Sequence, residues 1–268
     1  MPHANYLSKA NWAVEHAKPT LAWQMTAAAC HLCLALGYHR ASTYKTPTGD
    51  VRDPRPCLFW NIYILDKGIS LNLGRASVLS DYDITLPRDV LDGLTIGPEW
   101  RAILNMGIEA AVIQGDIYEK LYSPEALLRL ERDRVATAWA LAETLKALIE
   151  KNRYAQLEYT GQKDGALLEM VLKSDQVSMF SSLTLIYRAL PPPRGSAGTF
   201  GPDCIDTARG AMRIHHACID AVRDSDYFSS AYIHWYVCSG YGCFPLPPRT
   251  VTHDSRAQHP AIYPPNRR

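Results

Sequence analysis

Apolar residues recur at spacings of three and four along most of this chain, the pattern of amphipathic α-helices. The clearest case follows Asp53-Pro54, a pair typical of a helix N-terminus. Its apolar positions are Leu58, Ile62, Leu65, Ile69 and Leu73. Gly74 comes next, and glycine readily takes the left-handed conformation that ends helices. The pattern predicts a helix with a wide buried face that ends at Gly74.

The same periodicity predicts helices elsewhere in the chain. They cover 18–39, 98 to about 122, 123 to about 152, 165–190 and 204–223, and another begins near 229. No stretch shows the period-two alternation of strands flanked by hairpin turns. The sequence therefore predicts an all-α fold, an irregular multi-helix bundle of about seven helices.

Two of these helices have predicted buried faces made largely of leucine. In the helix over 18–39, the predicted face is Leu21, Met25, Leu32 and Leu36, and Ala27 to Ala29 would permit close approach of another helix. In the helix after Ser123-Pro124, it is Leu127, Leu130, Val135, Ala138, Leu141, Leu145 and Leu148. Residues 1–17 have mixed composition and are predicted to be poorly ordered or to form an incomplete helix. The Pro-rich segment 241–268 is predicted to be disordered.

Composition excludes some classes of protein. The chain has 268 residues, of which 47% are hydrophobic and 21% charged, and this is ordinary for a globular protein with a substantial core. It carries 28 basic and 27 acidic residues, a formal net charge of +1. Because nucleic-acid-binding domains usually show a marked basic excess, we do not expect this chain to bind DNA by itself.

The seven cysteines are scattered through mostly apolar helical patterns. The N-terminus lacks the apolar core of a signal peptide, and no apolar run is long enough to span a bilayer. These features predict an intracellular protein with free thiols. Cys30 and Cys33 have CxxC spacing, but no second ligand pair lies nearby to complete a zinc site. We expect both to be buried as small apolar side chains.

One ionisable pair, Asp66-Lys67, interrupts the apolar pattern of the helix that ends at Gly74. A charge in such a position is tolerated when it is paired or caps other groups. We expect Asp66 to bond Arg75 or a neighbouring backbone N–H and so to anchor the loop that follows. Gly74 with Arg75 could bind an anion, although an arginine that fixes the loop is the commoner arrangement.

Asp81 and Asp83 raise the possibility of a magnesium site, because helical metal-dependent enzymes hold this ion with aspartate-rich motifs. Such motifs place two carboxylates on a helix, with a second motif opposite. Here the two aspartates lie in a loop and no second motif is found, so a role in the loop is predicted. The chain also lacks G-x-S-x-G, P-loop and G-x-G-x-x-G signatures, and no catalytic residue is assigned.

The helix and loop over 57–87 resemble the fungal-specific transcription factor domain, the middle homology region of fungal zinc-cluster transcription factors. That family has a helix reading LFW-x-x-Y-x-L-D and then Arg or Lys, a GRP turn, and an acidic loop closed by Leu-Pro. The matching residues are Leu58, Phe59, Trp60, Tyr63, Leu65, Asp66, Lys67, Gly74, Arg75, Ser80, Asp81, Asp83, Ile84, Leu86 and Pro87. Ala76 stands where the family usually has proline. Weaker similarity continues at 27–40, 113–123, 182–192 and 232–235.

The resemblance implies a regulatory domain over 18–240 that acts in transcription in the nucleus. Implied partners are proteins of the transcription machinery, a homo- or heterodimer partner and a small-molecule effector, with no membrane. The signature residues expected to have structural roles are Trp60, Asp66, Gly74, Arg75, Asp81, Asp83, Pro87 and Arg188.

In this family DNA is bound by a six-cysteine zinc cluster, and no such cluster occurs in this chain. We therefore expect no metal or cofactor here, since zinc belongs to that missing head. The similarity also stops at about Tyr236. Two alternatives remain open: a head-less interaction module or truncated gene product that dimerises with or titrates intact factors, and, less favoured, a helical metal-dependent enzyme.

Overall fold

A computed structural model describes residues 2–16, 18–44, 53–88, 97–159, 165–192, 195 and 198–223. These residues form eight α-helices and no strand, so the all-α prediction is confirmed. The helices are α1 (Pro2–Glu15), α2 (Pro19–Ala35), α3 (Arg55–Leu73), α4 (Pro98–Ile117), α5 (Pro124–Leu127), α6 (Glu131–Tyr159), α7 (Gly165–Arg188) and α8 (Pro202–Arg223). A π-helical turn, Tyr118–Tyr122, extends α4. The helix predicted near 229 and the proline-rich tail lie outside the described residues.

α3 ends as its sequence predicts. Gly74 has φ +62° and ψ +40°, in the left-handed region. The Gly74 N–H donates to the Leu71 carbonyl and the Arg75 N–H to the Ser70 carbonyl, at 3.0 and 2.8 Å. These two bonds satisfy carbonyls at the end of the helix and turn the chain back along it.

Two expectations about helix boundaries differ from the structure. Residues 2–15 form a regular helix, α1, which packs on α2, whereas 1–17 were expected to be poorly ordered or to form an incomplete helix. The single helix predicted from Ser123 is divided into α5 and α6. The Ser123 hydroxyl caps α5 by accepting from the Ala126 N–H at 3.0 Å. A second start follows because Glu131 and Asp133 occupy the first turn of α6, where carboxylates stabilise the N-terminal dipole.

The predicted leucine faces are partly wrong. α2 buries Ala22, Thr26, Ala29, Cys30 and Cys33, while Leu36 is 48% exposed. Small side chains on this face allow α1 and α3 to approach α2 closely. Leu127 and Leu130 were predicted to start the buried face of the helix after Ser123-Pro124. Both are more than half exposed, because the break between α5 and α6 takes them out of the periodicity of α6.

α3 is largely enclosed by other parts of the protein, with twelve of its 19 residues buried. It contributes to an apolar cluster with α2 and α4, and to a second with α1 and α2. A third, larger cluster joins α4, α6, α7 and α8. Because α3 is enclosed on most sides, a charged residue on it must find its partners within the protein. In the described part of the chain, no helix combines the length and apolarity needed to cross a membrane.

Candidate functional site

The residues from Gly74 to Pro87, here called the signature loop, fold back over α3. Asp66 on α3 is 1% exposed. One of its carboxylate oxygens accepts from the Val78 N–H at 3.1 Å and the other from the Leu79 N–H at 2.9 Å. The carboxylate thus supplies acceptors for two consecutive backbone amides. This is the loop-anchoring role expected of Asp66, with amides of the loop as its partners.

Lys67 holds the same loop through a second group of contacts. Its side chain is fully buried. Its ammonium donates to the Ser77 hydroxyl at 3.1 Å, the Leu79 carbonyl at 2.8 Å and an Asp81 carboxylate oxygen at 2.7 Å. An ammonium group has three N–H donors, so all three have acceptors inside the protein. The burial of this charge is therefore compensated by complete hydrogen bonding.

Tyr63, one turn before Lys67, completes this group of contacts. Its hydroxyl donates to the second carboxylate oxygen of Asp81. Burial, reinforced by the hydrogen bond to this carboxylate, raises the pKa of Tyr63, which keeps the phenol protonated as a donor. Tyr63, Asp66, Lys67 and Asp81 are hereafter called the anchor network.

Opposing effects act on the carboxyl group of Asp66. Burial raises its pKa above the ordinary value, while the Leu79 and Val78 amides and the charge of Lys67 lower it part of the way back. The geometry favours the ionised form, because each oxygen accepts a backbone N–H and neither needs a proton to make its bond.

The second half of the signature loop is bound to the segment that follows α2. The Thr85 and Leu86 N–H groups both donate to the His39 carbonyl at 2.9 Å. Asp83 forms an ion pair with Arg40, with 2.7 Å between Nη2 and Oδ1. The loop therefore joins α3 to the end of α2 as well as covering α3.

Of the two partners expected for Asp66, it bonds backbone N–H groups and not Arg75. The guanidinium carbon of Arg75 lies 4.4 Å from the centre of the Trp23 ring on α2, a cation–π contact. Arg75 thus holds the start of the signature loop against α2. In the described residues its guanidinium is engaged by an aromatic face, an arrangement that spacing along the sequence does not reveal.

The remaining signature residues have different surroundings. Trp60 is buried between Phe59 and Tyr63, with edge-to-face ring separations of 5.2 and 5.4 Å. Pro87 closes the loop directly after the buried Leu86. Arg188 lies at the end of α7, with its guanidinium carbon 5.9 Å from the centre of the Phe200 ring. It takes no part in the anchor network and lies near the start of α8.

Gly115 on α4 allows the anchor network to lie close to that helix. A Cβ at this position would be 3.1 Å from Lys67 Cδ and 3.3 Å from Lys67 Nζ. Lys67 is held by three hydrogen bonds and has little freedom to move aside. The sequence marked Gly115 only as part of the similarity at 113–123. Its contact with Lys67 was not foreseen, because no local pattern connects it to a lysine 48 positions earlier.

We predict that Gly115→Ala lowers the free energy of unfolding by about 1–2 kcal/mol, although alanine usually stabilises a helix relative to glycine. Gly107→Ala is the matched control on α4. Its Cβ would meet the terminal methyl of Ile64 at 3.1 Å, and a methyl end can move without losing a hydrogen bond. Urea unfolding of both variants is the measurement. An equal or smaller loss for Gly115→Ala would contradict the tight fit around Lys67.

The acidic residues of the loop are engaged with cations and hydroxyls of the protein. Asp81 contacts Lys67 and Tyr63, while Asp83 contacts Arg40 and lies 3.3 Å from His39 Nε2. Across the described ranges, no group of three or more His, Cys, Asp or Glu side chains is placed to hold a metal ion. The arrangement is suited to fixing backbone in position.

The CxxC pair on α2 is buried within the apolar cluster around α3. Cys30 and Cys33 are both free thiols and fully buried. Burial raises the pKa of Cys33 to about 12, and it also raises the pKa of Cys30 well above its usual value. Both side chains are therefore neutral thiols at physiological pH, and thiolates are the form that binds metals.

Comparison with known proteins places the signature loop inside a recognised domain. Residues 15–96 match the family model described as the fungal specific transcription factor domain, which confirms the resemblance inferred from the motifs. A stretch of 115 residues is 30% identical to a Candida glabrata protein named "Negative regulator of pleiotropic drug resistance STB5". This alignment covers 41% of the chain and 11% of that protein's length. No solved structure matches the chain.

Proposed function

We propose that this chain is the regulatory domain of a fungal transcription regulator, acting in the nucleus without a catalytic role. The observation that carries the proposal is the match over residues 15–96. The anchor network lies inside this segment and includes four residues of the signature motif, from Tyr63 to Asp81. Four residues that match the family motif thus serve to hold a helix and a loop together.

A loop held to several helices in this way suits a domain that presents surfaces to partners. The signature loop joins α2, α3 and α4, so a change in its position would alter the packing of three helices together. Regulation would then consist of a shift between two arrangements of these helices that differ in the surfaces they expose. Partners would be proteins of the transcription machinery, a second copy of the chain or a related factor.

The proposal is tested by tethering the full chain to a heterologous DNA-binding domain in yeast, with a reporter gene under the matching operator. We expect reporter expression to change several-fold relative to the DNA-binding domain alone, in either direction. We expect Gly115→Ala to weaken the effect more than Gly107→Ala at equal protein levels. Reporter expression that is the same with and without the chain would overturn the proposal.

We also predict that the chain does not recognise DNA by itself. Its net charge of +1 offers little counterion release, so any duplex binding should be weak, with a dissociation constant of ~10⁻⁴ M or higher at physiological salt. Fluorescence anisotropy with short duplexes at several salt concentrations is the measurement. Specific binding in the micromolar range would show that this chain contacts DNA directly.

A further inference from the structure

A groove of about 490 Å³ lies between α7 and α8, away from the anchor network. Its volume falls within the range of about 300–1,000 Å³ typical of small-molecule sites. Apolar side chains make up much of its lining, among them Leu185 from α7 and Ile205 and Met212 from α8. Ile205 and Met212 remain about 40% exposed, so the groove presents apolar surface to solvent.

The charges in this groove are all of one sign. Its ten lining residues include Arg188, Arg209 and Arg213 and no carboxylate. Arg209 and Arg213 are four residues apart and therefore lie on one face of α8. Asp206 is 3.5 Å from Arg209, but both side chains are largely exposed, and such a pair is held weakly. The groove thus combines an apolar interior with guanidinium groups in excess.

Contacts around the groove fix its two walls. The Tyr122 hydroxyl donates to the Leu185 carbonyl at 2.6 Å, which ties α7 to the end of α4. The Cys204 thiol lies 3.7 Å from the Thr184 carbonyl and joins α8 to α7. A Cβ at Gly210 would be 3.0 Å from the Phe180 ring, so the helices approach closely just beyond the groove. The two walls of the cavity are therefore held in place by contacts within the protein.

The positive charge acts inside the groove as well as at its rim. Burial raises the pKa of the Cys204 thiol, and the charge of Arg188 opposes part of that rise. Arg188 also lies over the ring of Phe200, another lining residue. A guanidinium held against an aromatic ring beside apolar side chains is well placed to meet a carboxylate attached to an apolar body.

We propose that this groove binds an amphipathic monoanion, a single carboxylate on an apolar chain or ring system. The apolar body packs against Leu185, Ile205 and Met212, and the carboxylate is bonded by guanidinium groups of Arg188, Arg209 and Arg213. Charge complementarity selects an anion, and the cavity volume selects a small molecule over a folded partner. A regulatory role for this binding rests on the proposed function, but the binding itself does not.

The probe is dodecanoate, with dodecan-1-ol as the uncharged control of the same chain length, titrated into the full chain by isothermal titration calorimetry. We expect dodecanoate to bind with a dissociation constant of roughly 10–100 μM, which a probe of this size allows. The alcohol should bind at least about tenfold more weakly, because it lacks the charge-assisted hydrogen bonds.

Variants separate the groove from the rest of the surface. Arg209→Gln combined with Arg213→Gln should weaken dodecanoate binding at least about tenfold. Arg153→Gln on α6 is the control, since Arg153 is exposed and pairs with Glu150 outside the groove; it should change nothing. Ala208→Trp, which fills the cavity from α8, should abolish binding. Circular dichroism melting verifies that each variant is folded.

Three results would overturn the proposal: no heat of binding for dodecanoate, equal affinity for acid and alcohol, or equal affinity in the wild-type chain, the double arginine variant and Ala208→Trp. Because binding is measured on the purified chain, these results do not depend on the reporter assay. If dodecanoate binds but the tethered chain does not change reporter expression, the groove is a binding site and the regulatory role is refuted. If the tethered chain changes reporter expression but dodecanoate does not bind, only the proposal for the groove is refuted.

Discussion

Replacing Asp66 with alanine is expected to lower the free energy of unfolding by roughly 3–5 kcal/mol. The substitution leaves the Val78 and Leu79 N–H groups without their acceptor, at a site where the Asp66 side chain is buried. It also removes a negative charge near the fully buried ammonium of Lys67. Urea unfolding followed by circular dichroism measures the loss.

The matched control is Asp83→Ala, in the signature loop itself. Asp83 is about 40% exposed and pairs with the exposed Arg40, so its loss should be about 1 kcal/mol or less. If the two variants lose the same stability, Asp66 does not have the anchoring role assigned to it. An Asp66→Ala variant that melts at the same temperature as the wild-type chain would also contradict the anchoring role.

The second large effect concerns Asp175 on α7, whose substitution by asparagine is expected to flatten the dependence of stability on pH. Burial raises the pKa of Asp175 to about 8. The folded chain therefore keeps a proton that the unfolded chain releases above about pH 4. As pH rises from about 4 to 8, this group should remove roughly 1.4 kcal/mol of stability for each pH unit.

Asparagine cannot ionise, so Asp175→Asn should gain stability relative to the wild-type chain as pH rises through this window and stop gaining above about pH 8. Asp206→Asn serves as the control, because Asp206 is largely exposed on α8 and should follow the wild-type profile. Thermal melts from pH 4 to 9 provide the comparison. Parallel profiles for Asp175→Asn and the wild-type chain would refute a buried, protonated Asp175.

Much of the fold around α3 could be predicted from the sequence, because apolar spacing and Gly74 are local signals. The prediction of which face of α2 is buried was partly wrong, and the reason is physical. Periodicity alone favoured its leucines, whereas close packing against α1 and α3 buries Ala22 and Thr26 beside the two cysteines whose burial was expected. The break between α5 and α6 was also missed, because a helical spacing of leucines continues across it.

For the candidate site, too, the sequence indicated some features and not others. Asp66 and Lys67 stood out because charges interrupt an apolar pattern, and a backbone partner for Asp66 was anticipated. The identity of that partner could not be found, since Val78 lies twelve residues further along the chain. Gly115 and His39 lie in segments similar to the family, but no local pattern indicates what either residue contacts. Their roles arise only from how the signature loop lies across α2, α3 and α4.

The most direct measurement is hydrogen–deuterium exchange at the Val78 and Leu79 amides of the full chain. If the Asp66 carboxylate holds the signature loop on α3, both amides exchange at least about 1,000-fold more slowly than in an unstructured peptide. Asp66→Asn, which keeps the shape of the side chain but offers a single acceptor oxygen, should lose most of this protection. Exchange at the unstructured rate in the wild-type chain would contradict the anchoring of the signature loop and the role given to the motif.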